Sequence, residues 1–148
     1  MKYRNVRKGR GGSIEWKTIV SYDKEARMGY VTLQRAVFPN IMVTDDLHDE
    51  ASIMVDVDDR ETIYGFELEG EEAKKLEPFL HHKRVLVKEH EVYSLRLVEN
   101  KEVQRKASML GVEFLFAGKN YTDLIGISII DGSKYDSKFL DAFTINAE

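Results

Sequence analysis

Apolar residues along this chain recur at every second position or gather in short runs, the spacing of β-strands. Trp16 to Tyr22 (WKTIVSY) is rich in β-branched and aromatic residues and predicts a first strand. Asp23 to Ala26 is a polar turn. Met28 to Phe38 predicts the second strand, with Val31 and Leu33 on one face and Tyr30 and Thr32 on the other. Pro39-Asn40 breaks it, and Asp45 to Glu50 (DDLHDE) reads as an acidic loop. Ser52 to Val57 and Thr62 to Leu68 are the third and fourth strands. The period then changes. Glu71 to Leu80 puts Ala73, Leu76, Phe79 and Leu80 on one side of a helix, which Pro78 must end or distort.

The same plan follows again. Arg84 to Lys88 and Val92 to Val98 predict strands around a tight His90-Glu91 turn. Asn100 to Ala107 reads as a charged connection. Val112 to Phe116 and Leu124 to Ile130 predict two more strands. Ser133 to Phe143 predicts a helix, with Ser133 and Asp136 three apart before the apolar run in a capping-box pattern.

Two stretches echo each other. Met54 to Gly70 and Leu115 to Asp131 each run from an apolar strand through a polar turn into an aliphatic strand with a glycine, Gly65 or Gly126. Aligned on those glycines, Ala117 and Gly118 fall at the places of Asp56 and Val57, and Ser128 at that of Glu67. The apolar skeleton repeats and the acids do not. The expectation is an α+β fold, mainly β. Two tandem units, residues 14–80 and 84–148, each hold four antiparallel strands and one helix and pack as a pseudo-twofold globule. The second unit is a degenerate copy, and His81-His82-Lys83 joins the two. Gly65 and Gly126 then mark a bulge or a close backbone contact.

Composition adds little to this picture. An apolar fraction of 43% in 148 residues suffices for one core. The chain has no cysteine, which excludes disulfides and thiolate chemistry. No run has the length of a signal peptide's apolar segment or of a membrane span, so a soluble cytoplasmic protein with no membrane partner is expected. Charge is more informative. Residues 1–13 carry Lys2, Arg4, Arg7, Lys8 and Arg10 without an acid, leaving 17 basic and 26 acidic residues in the remainder, a net −9. The body repels polyanions, and only this segment, read as a flexible basic tail, attracts them. Arg4, Arg7, Lys8 and Arg10 are its nucleic-acid-binding candidates, although no aromatic platform accompanies them.

Among the acids, Asp56, Asp58 and Glu67 are the candidate ligand-binding set. Counted as an EF-hand loop from Asp56, Glu67 fits the twelfth position, but Glu61 stands where glycine is required. Turn formation explains Asp58 and Asp59 as well. Asp45, Asp46, His48, Asp49 and Glu50 are a dense polar cluster within one loop, which reads as solvated. His81, His82 and His90 sit at a helix end and in a turn, where no ligand is needed. No catalytic set, metal site or cofactor is assigned. The aromatics are read as core, with Tyr30 and Tyr64 pairing across neighbouring strands.

Four blocks carry a resemblance. Tyr22-Asp23-Lys24-Glu25-Ala26, Tyr30-Val31-Thr32-Leu33, Val55-Asp56-Val57-Asp58 and Gly65-Phe66-Glu67-Leu68 resemble the pattern of the domain-of-unknown-function family 2283, over about residues 18–77. This sequence departs from it at Arg27, where the family favours Asp, and at Glu61, where it favours a turn glycine. The resemblance implies a compact β-rich prokaryotic domain with a C-terminal helix and no known activity. The functional expectation is a non-enzymatic tandem β module, structural or binding a protein partner or itself. The alternatives are a nucleic-acid-associated protein using the basic tail, and a metal-assisted hydrolase using acids of the first unit.

Overall fold

A computed structural model describes residues 18–35 and 40–146, together with the backbone of residues 6–8 and 14–16. Val6–Lys8 (β1) pairs antiparallel with Ile14–Trp16 (β2), so part of the basic segment lies in a two-stranded hairpin. Arg7 and Lys8 belong to β1, whereas Arg4 and Arg10 fall outside the described residues.

The first unit has five strands: Val20–Asp23 (β3), Met28–Thr32 (β4), Ile41–Asp46 (β5), Ile53–Asp58 (β6) and Ile63–Glu69 (β7). Their order in the antiparallel sheet is β3-β4-β7-β6-β5. The second unit has Val87–Glu89 (β8), Val92–Arg96 (β9), Arg105–Met109 (β10), Val112–Phe116 (β11) and Leu124–Ile129 (β12). Their order is β8-β9-β12-β11-β10. Strand for strand the two orders are the same. The mainly β, two-unit α+β expectation holds, and each sheet has one strand more than expected. The added strands are β5 and β10, which occupy the same edge position in the two sheets.

The equivalence extends to irregularities. In β7, Asp56 pairs with Gly65 and Val57 with Ile63, so Tyr64 is the extra residue of a bulge. In β12, Leu115 pairs with Gly126 and Phe116 with Leu124, which makes Ile125 the extra residue. The carbonyls of both extra residues accept from the neighbouring strand's continuation, Leu33 N–H at 2.8 Å and Leu97 N–H at 2.7 Å. This register corrects the sequence alignment. Leu115, not Ala117, takes the place of Asp56, and Phe116 that of Val57. The turn closes from Asp58 to Thr62 in the first unit and from Ala117 to Asp123 in the second, so the second hairpin is two residues longer.

One core joins the sheets. Val31, Val55, Phe66 and Leu68 face Leu95, Phe114, Ile127 and Ile129 within a single buried cluster. The Phe66 and Phe114 rings meet edge to face, 5.0 Å between centroids. Helices only close the ends. Gly70–Lys74 (α1) is one turn and buries Ala73; Pro78 lies in a separate 3-10 turn, Glu77–Phe79, so the expected helix is divided. Ser137–Ala142 (α2) buries Phe139 and Leu140. Its N-cap is Asp136, whose carboxylate accepts from the Lys138 and Phe139 N–H groups, and Asp131 caps the preceding 3-10 turn. Ser133 is therefore not the cap. The segment after α2 returns to the residues just before β8, where Phe143 O accepts from Val85 and Leu86 N–H and Leu86 O accepts from Ile145 N–H. Tyr135 adds a polar tie between units: its hydroxyl accepts from Ile63 N–H at 3.0 Å and donates to Leu110 O at 2.9 Å. Among the described residues no helix is long and apolar enough to cross a membrane.

Candidate functional site

The three acids singled out from the sequence go separate ways. Asp56 is buried on the face of the first sheet away from the core. Its carboxylate accepts from the Tyr30 hydroxyl at 2.6 Å and the Thr44 hydroxyl at 2.6 Å. The Tyr30 ring reaches it by lying across Gly65, where any Cβ would come within 2.5 Å of the ring. A carboxyl group this deep is tolerated because hydroxyl donors replace water. Tyr30 also lies 6.4 Å from Tyr64, centroid to centroid, as the cross-strand pairing anticipated. In the second unit the equivalent of Asp56 is Leu115, and Ser94 and Ser128 share a 2.9 Å hydrogen bond in the places of Tyr30 and Glu67.

Asp58 serves the β6–β7 turn. Its carboxylate accepts from Arg60 N–H, Thr62 N–H and the Thr62 hydroxyl, at 3.0, 3.1 and 2.8 Å. Burial raises its pKa, but the Thr62 and Arg60 hydrogen bonds together outweigh burial and hold it below the ordinary value. Glu67 lies opposite Tyr30 on one side and Met54 on the other, half-buried on the same face as Asp56. Among the described residues no three His, Asp or Glu side chains converge as a metal would need. The acidic stretch 45–50 is not one loop. Asp45 and Asp46 end β5, and only the following residues turn. There His48 accepts from Glu50 N–H and stacks at 3.8 Å on Tyr121 of the second unit.

Tyr121 marks a cleft the sequence did not predict. About 700 Å³ in volume, it lies between the first unit's β3–β4 turn and α1 and the second unit's β11–β12 loop. Lys75 uses its ammonium on Glu72 at 2.6 Å, Asp123 at 2.8 Å and the Leu124 carbonyl at 2.9 Å. Glu72 in turn accepts from Leu124 N–H, and Lys101 reaches Asp123 at 2.7 Å. Arg27 pairs with Glu71 at 2.5 Å. Lys75 and Glu72 thus join the units through Asp123 and Leu124, whereas the Arg27–Glu71 pair lies within the first unit. The only sequence signal was Lys75 and Glu72 at helical spacing, whose partner lies far along the chain.

Hydrogen bonds from Lys101 and then Lys75 hold the Asp123 carboxyl below its ordinary value. A carboxylate with a depressed folded pKa stabilises above its unfolded pKa of about 4, and that stability is lost as pH falls through the folded value. Asp123→Asn therefore lowers the melting temperature at pH 7 and flattens the loss of stability on acidification below about pH 4. Parallel wild-type and variant curves from thermal melts across that range would contradict this joint.

The fold defines a class: a two-unit, mainly β α+β protein, in which Asp58 closes a turn and Lys75, Glu72 and Asp123 tie the units together. The chain is similar to the uncharacterized protein YuzE of Bacillus subtilis (strain 168), at 27% identity over 125 residues, covering 84% of this chain and 96% of that protein. The aligned stretch is longer than either unit, so the likeness runs through both sheets. No protein-family profile and no solved structure matches the chain.

Proposed function

We propose that the chain is a non-enzymatic interaction module of the cytoplasm, made by duplication of one β unit, that docks protein on the free edges of its sheets. The observation that carries this reading is β5. Among the described residues no strand pairs on its outer side, and Met42 and Val43 on it are 63% and 49% exposed. Open edges of this kind are templates for an added strand. Duplication is supported by the shared strand order, the shared bulge and the shared glycine. The first unit is read as a member of the domain-of-unknown-function family 2283, on the four blocks quoted above.

The test is site-specific photo-crosslinking in cells. A photoreactive residue at Val43 should yield discrete protein adducts, and one at Glu113 on the outer face of β11 should not. No adduct from Val43, or equal adducts from both sites, would sink the reading. A second reading rests on the five cations of residues 1–13, including Arg4, Arg7, Lys8 and Arg10: contact with nucleic-acid phosphates. It requires a salt-sensitive affinity for DNA or RNA that disappears when residues 1–13 are deleted.

A further inference from the structure

The two free edges that occupy equivalent places in their sheets carry opposite charge. β5 ends in Asp45 and Asp46, with Asp49 and Glu50 following, whereas β10 begins with Arg105 and Lys106. All four strand residues are exposed. An antiparallel ladder of two β5 edges in full overlap sets Asp45 opposite Met42 and Asp46 opposite Ile41, and one of two β10 edges sets Arg105 opposite Met109 and Lys106 opposite Ser108, so neither edge meets an opposite charge in its own kind. Opposite charges face each other only when β5 pairs with β10.

From this we infer that the partner of the β5 edge is the β10 edge of a second copy of this chain, a conclusion that rests on the edge-docking reading above. The register is fixed by faces. In β5, Val43 and Asp45 pair with Val57 and Val55, on the core side, while Thr44 pairs with Asp56 on the outer side. In β10, Arg105 and Ala107 pair with Phe116 and Phe114, on the core side, while Lys106 pairs with Leu115 on the outer side. Residues opposed in an antiparallel ladder share a face. Setting Val43 opposite Ala107 keeps both core faces on one side of a continuous sheet. It then sets Thr44 opposite Lys106 and Asp45 opposite Arg105. Asp46 becomes the diagonal neighbour of Lys106, within reach of a long side chain. Among the described residues the one ion pair of Lys106 is a 3.9 Å contact with Glu113, and Asp45 and Asp46 are exposed, the Asp45 carboxylate accepting from the Asp46 N–H at 2.9 Å. Because the contact joins two different edges, it either closes a ring or extends into an open chain.

Sedimentation velocity over a range of concentrations tests this, with circular dichroism and melting as controls that these exposed substitutions leave the fold intact. The wild-type chain should associate reversibly, and less at high salt. Asp45→Lys with Asp46→Lys makes both edges basic and should weaken association at least about tenfold, as should Arg105→Glu with Lys106→Glu, which makes both acidic. Mixing the two double variants restores opposite edges and should recover association. A wild-type chain monomeric at every concentration, or association indifferent to both charge reversals, overturns the inference. Adducts between Val43 and a different protein, from a chain that stays monomeric, would remove self-pairing and leave edge docking standing. A monomer that gives no Val43 adduct would remove both.

Discussion

Gly126→Ala destabilises the protein by about 1–3 kcal/mol, and Gly65→Ala by as much. Neither glycine is needed for a turn. Both are needed because the bulge draws a neighbouring strand's backbone over them. A Cβ on Gly65 would stand 2.5 Å from the Val31 carbonyl and 2.5 Å from the Tyr30 ring. One on Gly126 would strike the Leu95 carbonyl. Val31 and Leu95 pair with Phe66 and Ile127, each just past its glycine, so the two clashes are one constraint met twice. A carbonyl within a ladder cannot rotate away as a side-chain tip does, so the sheet must shift. Gly132→Ala is the control: nothing lies within 4 Å of its added Cβ, and stability should hold. Urea denaturation reads all three. A Gly126→Ala variant as stable as the control would disprove the constraint.

Phe66→Ala, the second large effect, costs about 3–5 kcal/mol, and so does Phe114→Ala. Each ring is fully buried, and each fills the space between the sheets against the other. Truncating either leaves a cavity that the opposite sheet cannot close without moving its ladder. A double-mutant cycle should give a coupling of about 0.5–1.5 kcal/mol for the edge-to-face pair. Domains of this size have stabilities of only about 5–15 kcal/mol, so the double variant is at or past the threshold of folding. Strictly additive losses would mean that the rings do not meet.

The sequence showed eight of the ten strands of the two sheets and missed β5 and β10 for one physical reason. β6, β7, β11 and β12 are buried on the core face, so their apolar residues repeat with the pleat. The edges β3 and β8 still carry or adjoin buried apolar residues, Val20 in one case and Val85 and Leu86 in the other, whereas β5 and β10 are edges without them. Ile41–Asp46 is exposed along most of its length, and Arg105–Met109 buries no residue fully, so neither needs an apolar alternation. A turn signal was available for β10: Leu110 and Gly111 both have positive φ, 48° and 82°, as in a two-residue hairpin. The His90-Glu91 turn, read correctly, has the same form. Glu61, at the position where the resembling family favours glycine, is also left-handed, with φ of 59°.

The candidate acids were harder to read. Nothing in Asp56-Val57-Asp58 says that one carboxylate turns to a tyrosine across a glycine while the other closes a turn. That division accompanies the bulge at Tyr64, opposite Asp56 and Val57, a shift that only the register reveals. The inter-unit joint of Lys75 and Asp123 is a long-range pairing that no local pattern announces.

Backbone hydrogen exchange, followed residue by residue on the dilute chain, tests whether two equivalent units share one core and leave their matching edges free. The slow amides of β4, β6, β7, β9, β11 and β12 should have one common opening free energy. Phe114→Ala should lower protection in the first sheet as much as in the second, while the outward amides of β5 and β10 exchange fast in both proteins. Two separate opening energies, with the first sheet indifferent to Phe114→Ala, would contradict a shared core.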